Sequence, residues 1–316
     1  MNMVLSIAVP FFAIIFLGMF TRAIGFLERT DARTLSKFAF YVAVPPMLFV
    51  NLADKDPVLM LNWGFVWRFE LVTLVVFLGG ALLANRLCAL GRRDAGIFGL
   101  NAAYPNYGYM GVPLAIMAFG AEAAIPMALI LMADTIVLLA LVAAFVAPRQ
   151  GNPAMVMLNI IKTMISNPLL ISLVFGVIFA MTGMQLPVML DNLVNIIAGA
   201  AAPTALFALG MTLYGQPIKS AVGEISLISL WRLIVHPVLL IAIFALFPGQ
   251  DMLWINVAIL SASLPVAANV YMLAQHYNIY VGRAATSCLI STIIATITVP
   301  VCLYLLIEAK MLFLTY

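Results

Sequence analysis

Residues 101–115 read Asn-Ala-Ala-Tyr-Pro-Asn-Tyr-Gly-Tyr-Met-Gly-Val-Pro-Leu-Ala, a loop-like stretch inside a long apolar segment. Pro105 and Pro113 remove backbone donors, and Gly108 and Gly111 loosen the chain. A helix should break here, halfway across a membrane span. Such a break is tolerated only where protein or a water-filled cavity surrounds it. The half-helix that follows brings amide groups and a positive dipole end to the midplane, where they attract a carboxylate. Asn101 and Asn106 add neutral donors and acceptors, while Tyr104, Tyr107 and Tyr109 add hydroxyls and flat faces. A second break is expected at Pro265, followed by Val266 and, a turn on, Asn269. One such break can be an ordinary kink, since Pro is frequent in membrane helices. Two at matched places point to a binding site. Its candidate residues are Asn101, Pro105, Asn106, Tyr107, Gly108, Pro265, Val266 and Asn269.

Asp134 stands mid-span in Leu131-Met132-Ala133-Asp134-Thr135. An ionisable group there costs about 2.5–3.5 kcal/mol on insertion scales, so it should face the bundle interior or a cavity. It could bind a coupling proton or Na⁺, or position a polar residue of the broken helix; satisfaction by neighbouring hydroxyls is the plainer alternative. Glu70 lies one turn from Arg68 near the end of its span and could instead pair locally. His236 precedes Pro237 and could titrate near neutral pH, although a buried neutral imidazole serves packing equally well. Thr286, Ser287, Ser291, Thr292, Thr296 and Thr298 suit helix–helix packing, or in part a cation site. Cys88, Cys288 and Cys302 have no metal-ligand spacing, and no cofactor is expected. The two histidines are far apart and only one aspartate is deep in a span, so neither a metalloprotease nor an aspartyl protease can be assembled. No Ser–His or Ser–Lys pair suggests itself, and an enzyme is not expected.

The elements that must position these groups follow from composition. The chain has 316 residues, 65% hydrophobic and 9% charged, against about 25% charged in soluble domains. Long continuous apolar runs exclude a β-barrel. Ten segments are long enough to span a bilayer: 4–24, 34–53, 64–87, 95–118, 122–147, 160–182, 190–213, 225–247, 252–276 and 281–307. The start, Met1–Phe20, reads as a first span rather than a cleaved signal. Basic residues collect in or beside the odd-numbered connections: Arg22, Arg29, Arg33 and Lys37; Arg86, Arg92 and Arg93; Arg149 and Lys162; Lys219 and Arg232; Arg283. The positive-inside rule makes those loops cytoplasmic and puts both termini outside. The net charge of +3 is scattered, so no nucleic-acid partner is expected.

The two halves repeat. Pro10, Gly18 and Gly25 recur as Pro168, Gly176 and Gly183, and Pro45, Leu48 and Phe49 as Pro203, Leu206 and Phe207, each 158 residues later. Trp67-Arg68 recurs as Trp231-Arg232, and Ala102…Pro105 as Ala262…Pro265, with offsets of 164 and 160. Units of five helices, an odd number, insert with opposite orientation, which is an inverted repeat. The expected fold class is an all-α polytopic membrane protein of ten transmembrane helices in two inverted five-helix repeats, 1–150 and 151–316, with the fourth and ninth helices broken and crossing at Pro105 and Pro265.

Pro105-Asn106-Tyr107-Gly108-Tyr109-Met110-Gly111-Val112-Pro113-Leu114 resembles the crossover segment of the auxin efflux carrier family, which includes plant PIN-type carriers and bacterial malonate-type permeases. Leu264-Pro265, Ala274-Gln275-His276-Tyr277-Asn278 and Ser291-Thr292 resemble its second crossover. Asn167-Pro168, Phe207-Ala208-Leu209-Gly210-Met211 and Ala43-Val44-Pro45 are similar to other family segments. The resemblance implies a scaffold of helices 1, 2, 6 and 7, often a homodimer interface, and a moving transport domain of helices 3–5 and 8–10. It also implies an organic-anion substrate, auxin in plants and small carboxylates such as malonate in bacteria, with Asn106 facing the carboxylate. Val266-Ala267-Ala268 after Pro265 departs from full symmetry, leaving the second side to backbone and Asn269. The short link between helices 5 and 6 lacks the long hydrophilic loop of many plant carriers.

The expectation is a secondary transporter of small organic anions in the bacterial inner membrane, working by an elevator-like alternating access. No nucleotide-binding motif is present, so an ion gradient, the membrane potential or the substrate gradient must supply the energy. An ion or solute channel, or a membrane receptor for an organic anion, is the alternative.

Overall fold

Proline decides where these helices change course. The computed structural model describes residues 2–56, 58, 62–146, 158, 161–162, 165–216 and 221–308. Among them the regular elements are all helical. In chain order they are α1 (Asn2–Ala23), α2 (Arg29–Phe38), α3 (Val44–Ala53), α4 (Trp63–Leu87), α5 (Arg92–Ala103), α6 (Val112–Phe119), α7 (Ala124–Val146), α8 (Pro168–Thr182), α9 (Val188–Gly199), α10 (Ala201–Leu213), α11 (Val222–Leu230), α12 (His236–Leu246), α13 (Met252–Ala262), α14 (Ala268–Tyr277) and α15 (Val281–Ile307). Three π-helical turns, Ala39–Ala43, Tyr107–Gly111 and Trp231–Val235, each run into a residue followed by proline: Val44-Pro45, Val112-Pro113 and His236-Pro237. A proline has no N–H to close the α-helical bond, and a widened turn carries the helix past it. The N–H of Val44 bonds to Ala39 O and that of His236 to Trp231 O, each five residues back.

Among the described residues, seven helices are long and apolar enough to cross a membrane by length and composition: Met3–Ala23, Arg29–Ala53, Trp63–Leu87, Ala121–Val146, Val188–Leu213, Val222–Leu246 and Val281–Ile307. Three shorter apolar helices, Tyr107–Phe119, Pro168–Thr182 and Met252–Ala262, fall within the remaining segments. The expected link 148–153 lies outside the described residues, and with it the 150/151 repeat boundary and Arg149; so does Lys219.

The chain forms two compact units. One comprises Met1–Trp63, Tyr107–Met132 and Ile165–Gly215; the other comprises Gly64–Asn106, Ala133–Met164 and Gln216–Tyr316. In the first, α1 packs on α10 and α3 on α8. A β-carbon on Gly18 would lie 2.1 Å from the Phe207 carbonyl oxygen, and one on Gly176 would lie 3.4 Å from the Phe49 carbonyl oxygen. Gly18 and Gly176 differ by 158, as do Phe49 and Phe207, so the two contacts exchange under the repeat offset. A β-carbon on Gly210 would lie 1.9 Å from the Ile15 carbonyl oxygen, so α1 and α10 meet backbone to backbone, as small residues permit in membranes. In the second unit, Phe65, Phe69, Phe77, Phe98 and Phe244 are fully buried, and the Trp231 indole donates to Val76 O.

Candidate functional site

Helix α5 stops at Ala103 and α13 at Ala262, each just ahead of an extended linker. The two linkers pair as a short antiparallel bridge between Pro105 and Val266. The Asn106 N–H donates to Pro265 O and the Ala267 N–H to Tyr104 O, both at 3.0 Å. The Val266 N–H donates to Ser291 Oγ at 3.1 Å, and Cys288 Sγ lies 3.4 Å from Val266 O. Backbone that could not be solvated inside a bilayer is thus satisfied by the opposite break and by α15. Ser291 is the member of the polar run that serves the break. Thr286, Ser287, Thr292 and Thr296 bond carbonyls of their own helix.

The candidates from the sequence divide. Pro105, Asn106, Pro265 and Val266 form the bridge and are buried. The Nδ2 of Asn106 has no hydrogen-bond partner among the described residues, so this amide can meet a ligand without losing a protein contact. Asn101 is fully buried on α5 and donates to Ile97 O at 2.8 Å, and its Oδ1 has no hydrogen-bond partner among the described residues. Asn269 joins a second cluster: the Tyr104 hydroxyl lies 3.3 Å from Thr135 Oγ1 and also meets the Asn269 side chain, with Asp134 in electrostatic reach. Asp134 is fully buried. Glu70 is in turn in electrostatic reach of Asp134, and neither of its carboxylate oxygens has a hydrogen-bond partner among the described residues. It does not pair with Arg68, whose guanidinium donates to Gly64 O and lies 5.0 Å from the Trp67 ring centroid. Tyr107 and Gly108 belong to the π turn that opens the other half of the broken span, in the first unit. That unit also holds a cavity of about 800 Å³ whose lining includes Pro113, Asn51, Lys55 and Asp191.

Arg232 corrects the sequence reading. Counted there as the flank of a cytoplasmic loop, it is fully buried in the π turn between α11 and α12. Its Nε donates to Leu264 O at 2.9 Å and its Nη1 to Ala103 O at 3.0 Å. Its Nη2 reaches Ser261 O and Ala262 O at 3.1 and 2.9 Å. The remaining donor of Nη1 goes to Nδ1 of His236, which is itself fully buried and packs against Phe69. The available signal was Arg232 seven residues inside an apolar segment and four before His236-Pro237; an ionisable residue there is functional by default.

Several long apolar helices, two linkers paired backbone to backbone and a buried polar cluster fit a multi-pass membrane protein. A family model described as membrane transport protein matches residues 3–303. A "Putative malonate transporter" of Rhizobium meliloti (strain 1021) is 34% identical over 309 residues, covering 95% of each chain. An "Uncharacterized transporter" of Methanothermobacter thermautotrophicus is 25% identical, covering 91% of this chain and 93% of its own. A "Probable auxin efflux carrier component 1b" of Oryza sativa subsp. japonica is 24% identical over 159 residues, 48% of this chain and 28% of its own. The chain belongs to the membrane transport protein family of auxin efflux carriers.

Proposed function

We propose that the protein is a secondary transporter of small organic anions, carboxylates of the malonate or auxin kind, working by elevator-like alternating access. The observation that carries this reading is the backbone pairing of the two broken spans at Pro105 and Val266, with the buried Asn106 amide beside it. An anion there would meet the N-terminal end of α14, which no side chain caps. The relative named for malonate supports the carboxylate class. The exchange of the Gly18–Phe207 and Gly176–Phe49 contacts under one offset supports two inverted repeats of five helices. The first unit collects segments 1, 2, 6 and 7 and the second segments 3, 8, 9 and 10, while segments 4 and 5 are divided. This supports a scaffold and a moving part with the change of unit just after Asn106. Asp134 and Glu70 are the candidates for binding a coupling proton or Na⁺. The reading places a homodimer, joined through scaffold helices, in a bacterial inner membrane with both termini outside.

Reconstitution into proteoliposomes tests it. Radiolabelled malonate, succinate, acetate and indole-3-acetate are offered with and without Na⁺ and at two pH values. Saturable uptake of at least one is expected, together with loss of its binding in Asn106→Ala. No movement of any organic acid by the wild type would overturn the reading. Ohmic, unsaturable flux would instead make the protein a channel.

A further inference from the structure

The break in each span exposes two kinds of helix end, and only one suits an anion. The C-terminal ends of α5 and α13 carry carbonyls that the helices cannot pair and a partial charge of about −0.5 each. Together they amount to about −1, close to where a carboxylate is proposed to bind. The guanidinium of Arg232 brings +1 to both ends at once. It takes Ala103 O from α5, and Ser261 O and Ala262 O from α13, with Leu264 O from the linker. A guanidinium has five N–H donors, and here each meets an acceptor, the last being His236 Nδ1. The π turn and Pro237 position it: the turn is one residue wider than an α-helical turn, and the arginine lies within it. A lysine, with three donors and no planar fork, could not hold three carbonyls on two helices and a fourth on the linker in this way. Among the described residues the repeat-related arginine, Arg68, hydrogen-bonds Gly64 O one turn away and ties no second helix.

We propose that Arg232 is the positioning residue of the crossover. It ties the C-terminal ends of α5 and α13 together and cancels their negative potential, leaving the positive N-terminal end of α14 to select an anion. The selectivity half of this inference rests on the carboxylate-transport reading; the tying half does not.

The test is peptide-resolved amide hydrogen exchange on purified wild type, Arg232→Lys and His236→Ala, paired with uptake kinetics. In Arg232→Lys, exchange in peptides covering 104–107 and 264–268 should rise at least tenfold, while peptides from α1 and α10 keep their wild-type rates. His236→Ala leaves one guanidinium N–H without its acceptor and should give a smaller rise in the same peptides; it also serves as the test if the lysine variant does not fold. For the carboxylate the wild type carries, Arg232→Lys should raise KM at least tenfold with kcat less affected. Unchanged exchange at the crossover, or a uniform rise along the whole chain, would overturn the tying role. Local loosening with KM unchanged would overturn the selectivity role. A wild type that carries no carboxylate refutes the transport reading and the selectivity role with it, and the exchange measurement still decides the tying role.

Discussion

Asn106 and the Glu70–Asp134 pair place buried polar and acidic side chains in the second unit. The Nδ2 of Asn106 is buried with no hydrogen-bond partner among the described residues, and such a group costs folding free energy of about 1–3 kcal/mol. Asn106→Ala should therefore leave the melting temperature unchanged or higher, while substrate affinity falls at least tenfold. Melting curves with and without the transported anion would read both. Two carboxylates in electrostatic reach of each other repel when both are charged, and among the described residues neither Glu70 oxygen has a hydrogen bond to offset this. Glu70→Gln should accordingly stabilise the apo protein and, under the proposed coupling, remove the dependence of uptake on pH or Na⁺. A fall in stability with coupling intact would show that Glu70 is ordinary packing.

At the scale of elements, prolines and glycines set the geometry. The prolines at 45, 113 and 237 each follow a widened turn, and Gly18 and Gly210 let α1 and α10 touch. Gly210→Ala would drive a methyl into the Ile15 carbonyl at 1.9 Å. Backbone cannot move aside as a side-chain tip can, so the helices must separate, at a cost of about 1–3 kcal/mol. Thermal unfolding in detergent should show a clearly lowered midpoint. Gly199→Ala, with nothing within 4 Å of the new β-carbon, should leave the midpoint in place.

For the whole molecule, the proposed orientation outlasts the loss of Arg232 from the loop count, because Arg22, Arg29, Arg33, Lys37, Arg86, Arg92, Arg93 and Arg283 remain in or beside odd-numbered connections. Cys88, half-buried just past the end of α4, offers a direct probe. In a Cys288→Ser, Cys302→Ser background, a membrane-impermeant maleimide should label it only after the membrane is opened. Burial, then the Glu224 carboxylate, raises this thiol above its ordinary range, against a smaller opposing effect of Arg283. The thiolate fraction is therefore low at neutral pH, and labelling should speed up steadily from pH 7 to pH 9. Labelling of intact cells would reverse the orientation.

The sequence by itself determined the all-helical membrane character, the breaks at Pro105 and Pro265, and the family, because apolar length, missing N–H groups and a dense local motif are written along the chain. It also singled out Asn106 and Asp134, since a polar group amid apolar neighbours needs no neighbour in space to be noticed. Only the tertiary structure showed that the two linkers pair backbone to backbone, that Ser291 answers Val266, and that Tyr104, Asn269 and Thr135 meet beside Asp134. Arg232 marks the boundary between the two. Counted in one dimension it is a basic residue beside a loop. Four of its partners, at 103, 261, 262 and 264, lie 129, 29, 30 and 32 residues away, and these four are backbone carbonyls, which no side-chain pattern records. Which carbonyls need a cation depends on where helices end in space, and that is decided only when the chain folds.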